Sequence, residues 1–292
     1  MKTTNKNNML YPMMETMAKA AIQIIQNEAA TFSRKIKTHY NGTDDDLVTS
    51  ADYKAQDMYV EEIQKHFPGE GIIGEENDLN IKPLDNTHGY FTIDPLDGTR
   101  AFGRLQSTGS GTMIAHVQNG IVDAVCIGDI NTGEVYGYGP SHLPTRTRFG
   151  VETPLAITSH LPLKDKFVLL RDHIDYLPAV IQKMVSGGRG GIFKDIDILS
   201  GSIGLNMARL WKNEVAMIVL KFDGFDTPWD NTPFVGMNQQ LGIVTLRFYP
   251  EIGEAGIIEP NLPLEVRERK HVEICVHKEY ATEVIRWIKN NK

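Results

Sequence analysis

The hexapeptide Asp94-Pro95-Leu96-Asp97-Gly98-Thr99, set at the end of the apolar run Tyr90 to Ile93, constrains this chain more than any other segment. Two carboxylates at the end of a buried strand cannot both enter a core alone, because an unpaired buried carboxylate carries a large desolvation cost. A divalent cation is the simplest partner. Oxygen-only donors at this density select Mg²⁺, Mn²⁺ or Ca²⁺ over zinc, and the turn lets the Leu96 carbonyl join the shell. Gly98 permits a sharp turn, and if Thr99 opens a helix, the free N–H groups there form an anion site beside the metals, a combination suited to a phosphate ester. The competing reading is an ordinary Pro-Gly turn in which Asp94 caps a helix and Asp97 is solvated.

The flanking sequence mixes helix and strand. Leu10, Met13, Met14, Met17, Ala18, Ala21, Ile24 and Ile25 recur at helical spacing. Asp44 to Asp46 read as an acidic turn, and Ala51, Ala55, Met58, Tyr59 and Ile63 mark a second helix that stops at Phe67-Pro68-Gly69, with Asp52 in its first turn. Strands are predicted at Gly71 to Ile73, Tyr90 to Ile93, Gly111 to Val117, Ile121 to Ile127 and Glu134 to Tyr138, three of them as an antiparallel meander. Pro140 to Pro154 lacks apolar periodicity and reads as a linker or surface loop. It divides an N-terminal lobe (1–150) with the metal-binding and catalytic motifs from a C-terminal lobe (151–292) with substrate-binding elements, the two making one catalytic unit. In the second half, strands are predicted near Lys166 to Leu170, Val215 to Leu220, Ile243 to Phe248 and Val272 to Val276. Helices are predicted near Tyr176 to Val185, Ile203 to Trp211, Thr232 to Leu241 and Glu279 to Ile288.

With 292 residues and 41% apolar composition, the chain can bury a large core. Its 30 basic and 37 acidic residues give a formal net charge of −7, which argues against binding a nucleic-acid polymer. Cys126 and Cys275 alone cannot build a disulfide framework or a four-thiolate zinc site, so a reducing cytoplasm is expected. The longest apolar run, Val215 to Leu220, is far short of the roughly 20 residues of a membrane-spanning helix. Glu15, Lys19 and Gln23 interrupt any signal-peptide core.

Asp-Leu-Val-Thr-Ser-Ala-Asp at 46–52, Gly-Glu-Glu at 74–76, Asp-Pro-Leu-Asp-Gly-Thr at 94–99, Gly-Ser at 201–202 and Trp-Asp at 229–230 occur in an order and spacing that resemble the inositol monophosphatase family. The resemblance implies an α+β fold, a layered αβαβα sandwich like that of fructose-1,6-bisphosphatase. It implies hydrolysis of phosphomonoesters with two or three Mg²⁺ ions, for which Mn²⁺ can substitute, and inhibition by Li⁺. The implied metal ligands are Glu75, Asp94, the Leu96 carbonyl, Asp97 and Asp230. Asp52, Glu75 and Thr99 are the implied catalytic residues, with Asp52 holding Thr99 and a more weakly bound metal water. Gly98, Thr99, Gly201, Ser202 and Asp223 are the implied substrate contacts. Homodimers are common among such proteins.

Several positions depart from the family pattern. Ile198 replaces a basic residue, Arg100 follows the turn as in the histidinol-phosphate branch, and Asn231-Thr232-Pro233-Phe234 replaces small residues, with Phe234 expected to add bulk near the site. Gly187 to Gly191 is not a P-loop and reads as a flexible connection. The expected substrate is a small polyol or sugar-like phosphate, inositol 1-phosphate first. The alternatives are 3'-phosphoadenosine 5'-phosphate or histidinol phosphate, or a non-catalytic protein that binds a metal and a phosphate ligand.

Overall fold

The computed structural model describes residues 3–38, 40, 42–43, 46–157, 161–187, 190–259 and 262–291, with side chains from residue 6. Asp44, Asp45, Gly188 and Arg189, which carry parts of two loop readings above, lie outside the described residues.

Five layers stack as helix, sheet, helix, sheet, helix. The first is α1 (Thr3–Glu28) and α2 (Ser50–His66), which bury one apolar face each. Thr49 starts α2 with a capping box: its hydroxyl accepts the Ala51 N–H at 3.2 Å while Asp52 accepts the Thr49 N–H at 2.8 Å. Both helices lie on a sheet built from β3 (Gly71–Gly74), β4 (Asn80–Ile81), β5 (Tyr90–Asp97), β6 (Gly111–Gln118), β7 (Ile121–Asp129), β8 (Val135–Gly139), β9 (His142–Arg148) and β10 (Val151–Pro154). Among the described residues its order is β10-β9-β8-β7-β6-β5-β3-β4, antiparallel except for β3 beside β5. A short ribbon of β1 (Arg34–Lys37) and β2 (Asp46–Thr49) leads into α2.

The other face of this sheet packs on α5 (Ile203–Trp211) and α6 (Pro228–Gln240), whose apolar side chains form the middle core with Met113, Ala115, Val125 and Ile127. The second sheet covers them. It comprises β11 (Phe167–Leu170), β12 (Asp195–Ile198), β13 (Met217–Leu220), β15 (Ile243–Tyr249), β16 (Glu254–Ile258) and β18 (Val272–His277), in the order β12-β11-β13-β18-β15-β16. The pairs that β11 makes with β12 and β13 are parallel. On its far side α4 (Ala179–Val185) and α7 (Lys278–Asn290) close a third core. β14 (Gly224–Asp226) and β17 (Arg267–Arg269) form a separate ribbon. The one-turn α3 (Thr99–Gly103) follows β5.

The stretch from Pro140 to Pro154 is not a linker: it is the β9–β10 hairpin at the edge of the first sheet. Its buried positions are Pro144, Thr145 and Thr147 while Leu143 is 78% exposed, so no apolar alternation marks it as a strand. Phe149 and Gly150, both at positive φ (51° and 75°), make the two-residue turn that a right-twisted hairpin favours. α6 begins at Pro228, ahead of the expected Thr232, because Thr227 caps it and Pro228 suits the first helical position. Trp229-Asp230 therefore lies within that helix. Phe234 is wholly buried in the middle core and does not line the cleft described below, which corrects the expectation that it crowds the site.

Candidate active site

β5 ends between the layers, and its last residues meet the N-termini of α5 and α6. One carboxylate oxygen each from Asp94, Asp97 and Asp230 lies within 4.8 Å of the other two. Asp230 reaches this point from the first turn of α6, where its N–H bonds the Thr227 hydroxyl at 3.2 Å. Asp97 is held differently. Ser202, the N-cap of α5, donates its hydroxyl to Asp97, and the N–H groups of Ile203 and Gly204 donate to it at 2.9 and 2.8 Å. Those donors are thus directed at a metal-ligand candidate. The same helix end favours the negative charge.

Two glycines permit the close approach of the two loops. Gly98 (φ 90°) and Gly201 (φ 95°) both sit against the Gly109 carbonyl, where an added Cβ would stand 2.2 and 2.7 Å from that oxygen. Thr99 opens α3 directly after Gly98, as the turn chemistry implied. The Thr99 hydroxyl lies 2.9 Å from the Leu96 carbonyl and 3.1 Å from Asp52 Oδ1, so its single proton has two acceptors. Asp52, fully buried, spends its other oxygen on the Thr49 N–H and hydroxyl at 2.8 and 2.5 Å.

Glu75 follows β3 and faces Asp94. The ammonium of Lys37 lies 3.1 Å from Glu75 and 2.8 Å from Glu76, with Asp46 at 3.8 Å. Burial and the neighbouring carboxylates Glu75, Asp97 and Asp230 push Asp94 well above the usual carboxylate range. Burial, offset by Lys37 but reinforced by Glu76 and Asp230, pushes Glu75 up to about 8. Burial and Asp97 raise Asp230 to about 6, and burial above all raises Asp52 to about 6. Oxygen donors that are buried (Asp94, Asp97) or half-buried (Glu75, Asp230) and that repel one another are a fit for a hard divalent cation such as Mg²⁺, which would replace the protons.

A cleft of about 560 Å³ opens over these groups. The sequence-derived residues Glu75, Asp94, Leu96, Asp97, Gly98, Thr99, Gly201, Asp223 and Asp230 line it, whereas Asp52 and Ser202 stand behind the wall. Asp223 occupies the left-handed region (φ 57°), which Asp tolerates better than most residues. Ile198, 50% exposed, lines a smaller neighbouring depression with Gln106 to Thr108 instead. Sequence reasoning missed Lys37, Tyr40, Arg171, Lys221, Phe225 and Arg269. Arg171 and Lys221 directly follow apolar strand runs, the same signal that revealed Asp94, whereas nothing local marks Lys37 or Tyr40.

Residues 6–142 match the Inositol monophosphatase family. The inositol-1-monophosphatase of Caulobacter vibrioides is 44% identical over 57 residues, 20% of this chain and 22% of that protein. The histidinol-phosphatase of Chlorobaculum parvum is 38% identical over 71 residues, 24% of this chain and 26% of that protein. The matches thus span about a quarter or less of these curated relatives. The fold of the Thermotoga maritima IMPase superposes with a TM-score of 0.71 at 20% identity, over 95% of both chains. Among the described residues, no helix is long and apolar enough to cross a membrane. The first half of the chain thus matches the inositol monophosphatase family, and nearly the whole chain shares the layered fold of the Thermotoga maritima IMPase.

Proposed function

We propose that this chain is a Mg²⁺-dependent phosphomonoesterase acting on a small polyol or sugar-like phosphate, with inositol 1-phosphate the first candidate. The observation that carries the reading is the convergence of Asp94, Asp97 and Asp230 to within 4.8 Å beside the Thr99–Asp52 pair. Bound Mg²⁺ supplies Lewis-acid polarisation of the phosphoryl group and acidification of a water. Asp94, Asp97, Asp230, Glu75 and the Leu96 carbonyl are the groups that would hold it. Asp52 accepts a hydrogen bond from the Thr99 hydroxyl, which turns a lone pair of the hydroxyl oxygen toward the cleft to orient the attacking water. Asp97 keeps its place through the Ser202, Ile203 and Gly204 donors. Arg171, whose charge favours ionised Asp230, supplies a cation on the wall. Inhibition by Li⁺ belongs to the same reading.

A second reading, an ester with a planar ring and a further anionic group, is favoured by the rest of the lining. Tyr40 packs at 5.6 Å from Phe225 and 6.2 Å from Trp229, and all three line the cleft with Arg100, Arg171, Lys221 and Arg269. Aromatic faces and guanidinium groups suit a nucleotide better than a bare polyol. The test is phosphate release from inositol 1-phosphate, 3'-phosphoadenosine 5'-phosphate, histidinol phosphate and fructose 1,6-bisphosphate, with Mg²⁺, with chelator and with Li⁺. Metal-dependent release that prefers one ester supports the reading and names the branch. Metal binding without release from any of them sinks it in favour of a non-catalytic binder.

A further inference from the structure

We propose that Asp226, His271 and Glu273 form a second cation site, separate from the aspartate cluster and selective for a transition-metal ion of the Zn²⁺ type. One ligand atom from each lies within 4.8 Å of the other two. The arrangement follows from strand geometry. The bend between β17 and β18 carries His271 to the start of β18, whose second residue is Glu273. Asp226, at the end of β14, comes in from the ribbon that β14 makes with β17.

The state of the three side chains points to a ligand. His271 is 8% exposed and Glu273 3%. His271 Nε2 is buried without a hydrogen-bond partner, and it faces Glu273 Oε2 at 3.7 Å, too far for a hydrogen bond. The Glu273 carboxylate accepts no hydrogen bond among the described residues, which leaves its oxygens available to coordinate. Asp226 has one oxygen 2.8 Å from Arg269 Nη1, which leaves the other for coordination. Arg269 then serves as the outer partner that fixes a ligating carboxylate. Arg247, across the β15–β18 pair from Glu273, also has its Nε unpartnered.

The donor set decides the metal. One imidazole nitrogen and two carboxylates favour Zn²⁺, whereas the all-oxygen aspartate cluster favours Mg²⁺. Three protein ligands would leave Zn²⁺ one open position for water. Such an ion would fasten the β14–β17 ribbon, which contributes Gly224, Phe225 and Arg269 to the cleft wall, onto the second sheet.

The test uses the full chain in excess Mg²⁺, which occupies the aspartate cluster, and Zn²⁺ as the probe. Calorimetry should show one saturable Zn²⁺ per chain. Affinity should fall at least tenfold in both His271→Ala and Glu273→Gln, and Asp97→Asn should leave it intact. Wild-type crystals soaked in Zn²⁺ need no variant, and an anomalous peak between the three side chains is the expected result. No saturable binding, a peak only at the aspartates, or binding that survives both substitutions and disappears in Asp97→Asn overturns the proposal.

Discussion

Asp52 accepts the Thr99 hydroxyl at 3.1 Å with one oxygen and closes the capping box of α2 with the other. A residue that looks like a helix cap is therefore also the residue behind the candidate nucleophile-orienting hydroxyl. The two roles separate by mutation. Thr49→Ala removes the cap hydroxyl and should cost about 1 kcal/mol of stability, with the Mg²⁺-dependent rate reduced only modestly. Thr99→Ala should leave stability within about 1 kcal/mol and lower kcat about 100-fold. Denaturant melts beside initial rates distinguish them, and a Thr99→Ala protein with wild-type kcat would falsify the catalytic role of the pair.

Ser202 and Asp97 are 105 residues apart in sequence, yet the hydroxyl of one lies on the carboxylate of the other. Ser202→Ala removes both this bond and the N-cap of α5, for an expected loss of about 1–2 kcal/mol. It should also weaken Mg²⁺ binding, because Asp97 is then less firmly oriented. Ser202→Thr keeps the hydroxyl and should recover most of the metal affinity. Equal Mg²⁺ affinity in Ser202→Ala and wild type, measured by calorimetry, is the result that excludes this positioning role.

Metal-free stability should fall as pH rises. Asp52, Glu75, Asp94 and Asp230 all have folded-state pKa values above their ordinary ones, with Asp52 and Asp230 near 6 and Glu75 near 8. The folded state thus binds more protons than the unfolded state across the window from the ordinary carboxylate range to about 8, and stability declines through it. Mg²⁺ takes the place of those protons, so its stabilising effect should be larger at pH 8 than at pH 5, reaching about 2.7 kcal/mol at a hundred times Kd. Thermal melts with and without Mg²⁺ at both values check this. A Tm shift independent of pH contradicts it.

His116 gives the opposite slope. Its ring, fully buried, bonds Asp123 at 2.6 Å and Glu70 at 3.1 Å, while Lys6 pairs with Glu70. Burial opposes the imidazolium, but the two carboxylates outweigh it and raise the His116 pKa. This stabilisation is complete below the unfolded-state pKa of about 6.5 and is lost as pH rises through the raised folded value. His116→Gln should therefore cost about 3 kcal/mol near pH 6 and less near pH 9. Urea titrations of both proteins at the two pH values measure the gap, which must narrow.

The first-half helices and the meander are legible because each has one buried face, so that the apolar period reports the fold directly: Met14, Met17, Ala21 and Ile25 fall on the buried side of α1. The aspartates are legible for the converse reason, as charges placed where a strand period demands apolar residues. The β9–β10 hairpin escapes that logic because Pro144, Thr145 and Thr147 fill its buried positions. Phe234 was misplaced because a spacing from Asp230 does not say which side of a helix faces a cleft. Lys37 and Tyr40 are set by the path of the chain around the site, and His271 meets Asp226 only through the pairing of two strands distant in sequence.

Because the Asp97 carboxylate is buried against the first turn of α5, the first sheet cannot complete its own interior until α5 has docked. Contacts of such long sequence separation form late, after loop closure has been achieved. Refolding should then recover α1, α2 and the meander before it recovers the geometry of the three aspartates. A partly folded chain would carry much of the architecture without the converged aspartates, so metal affinity should be the last property to return.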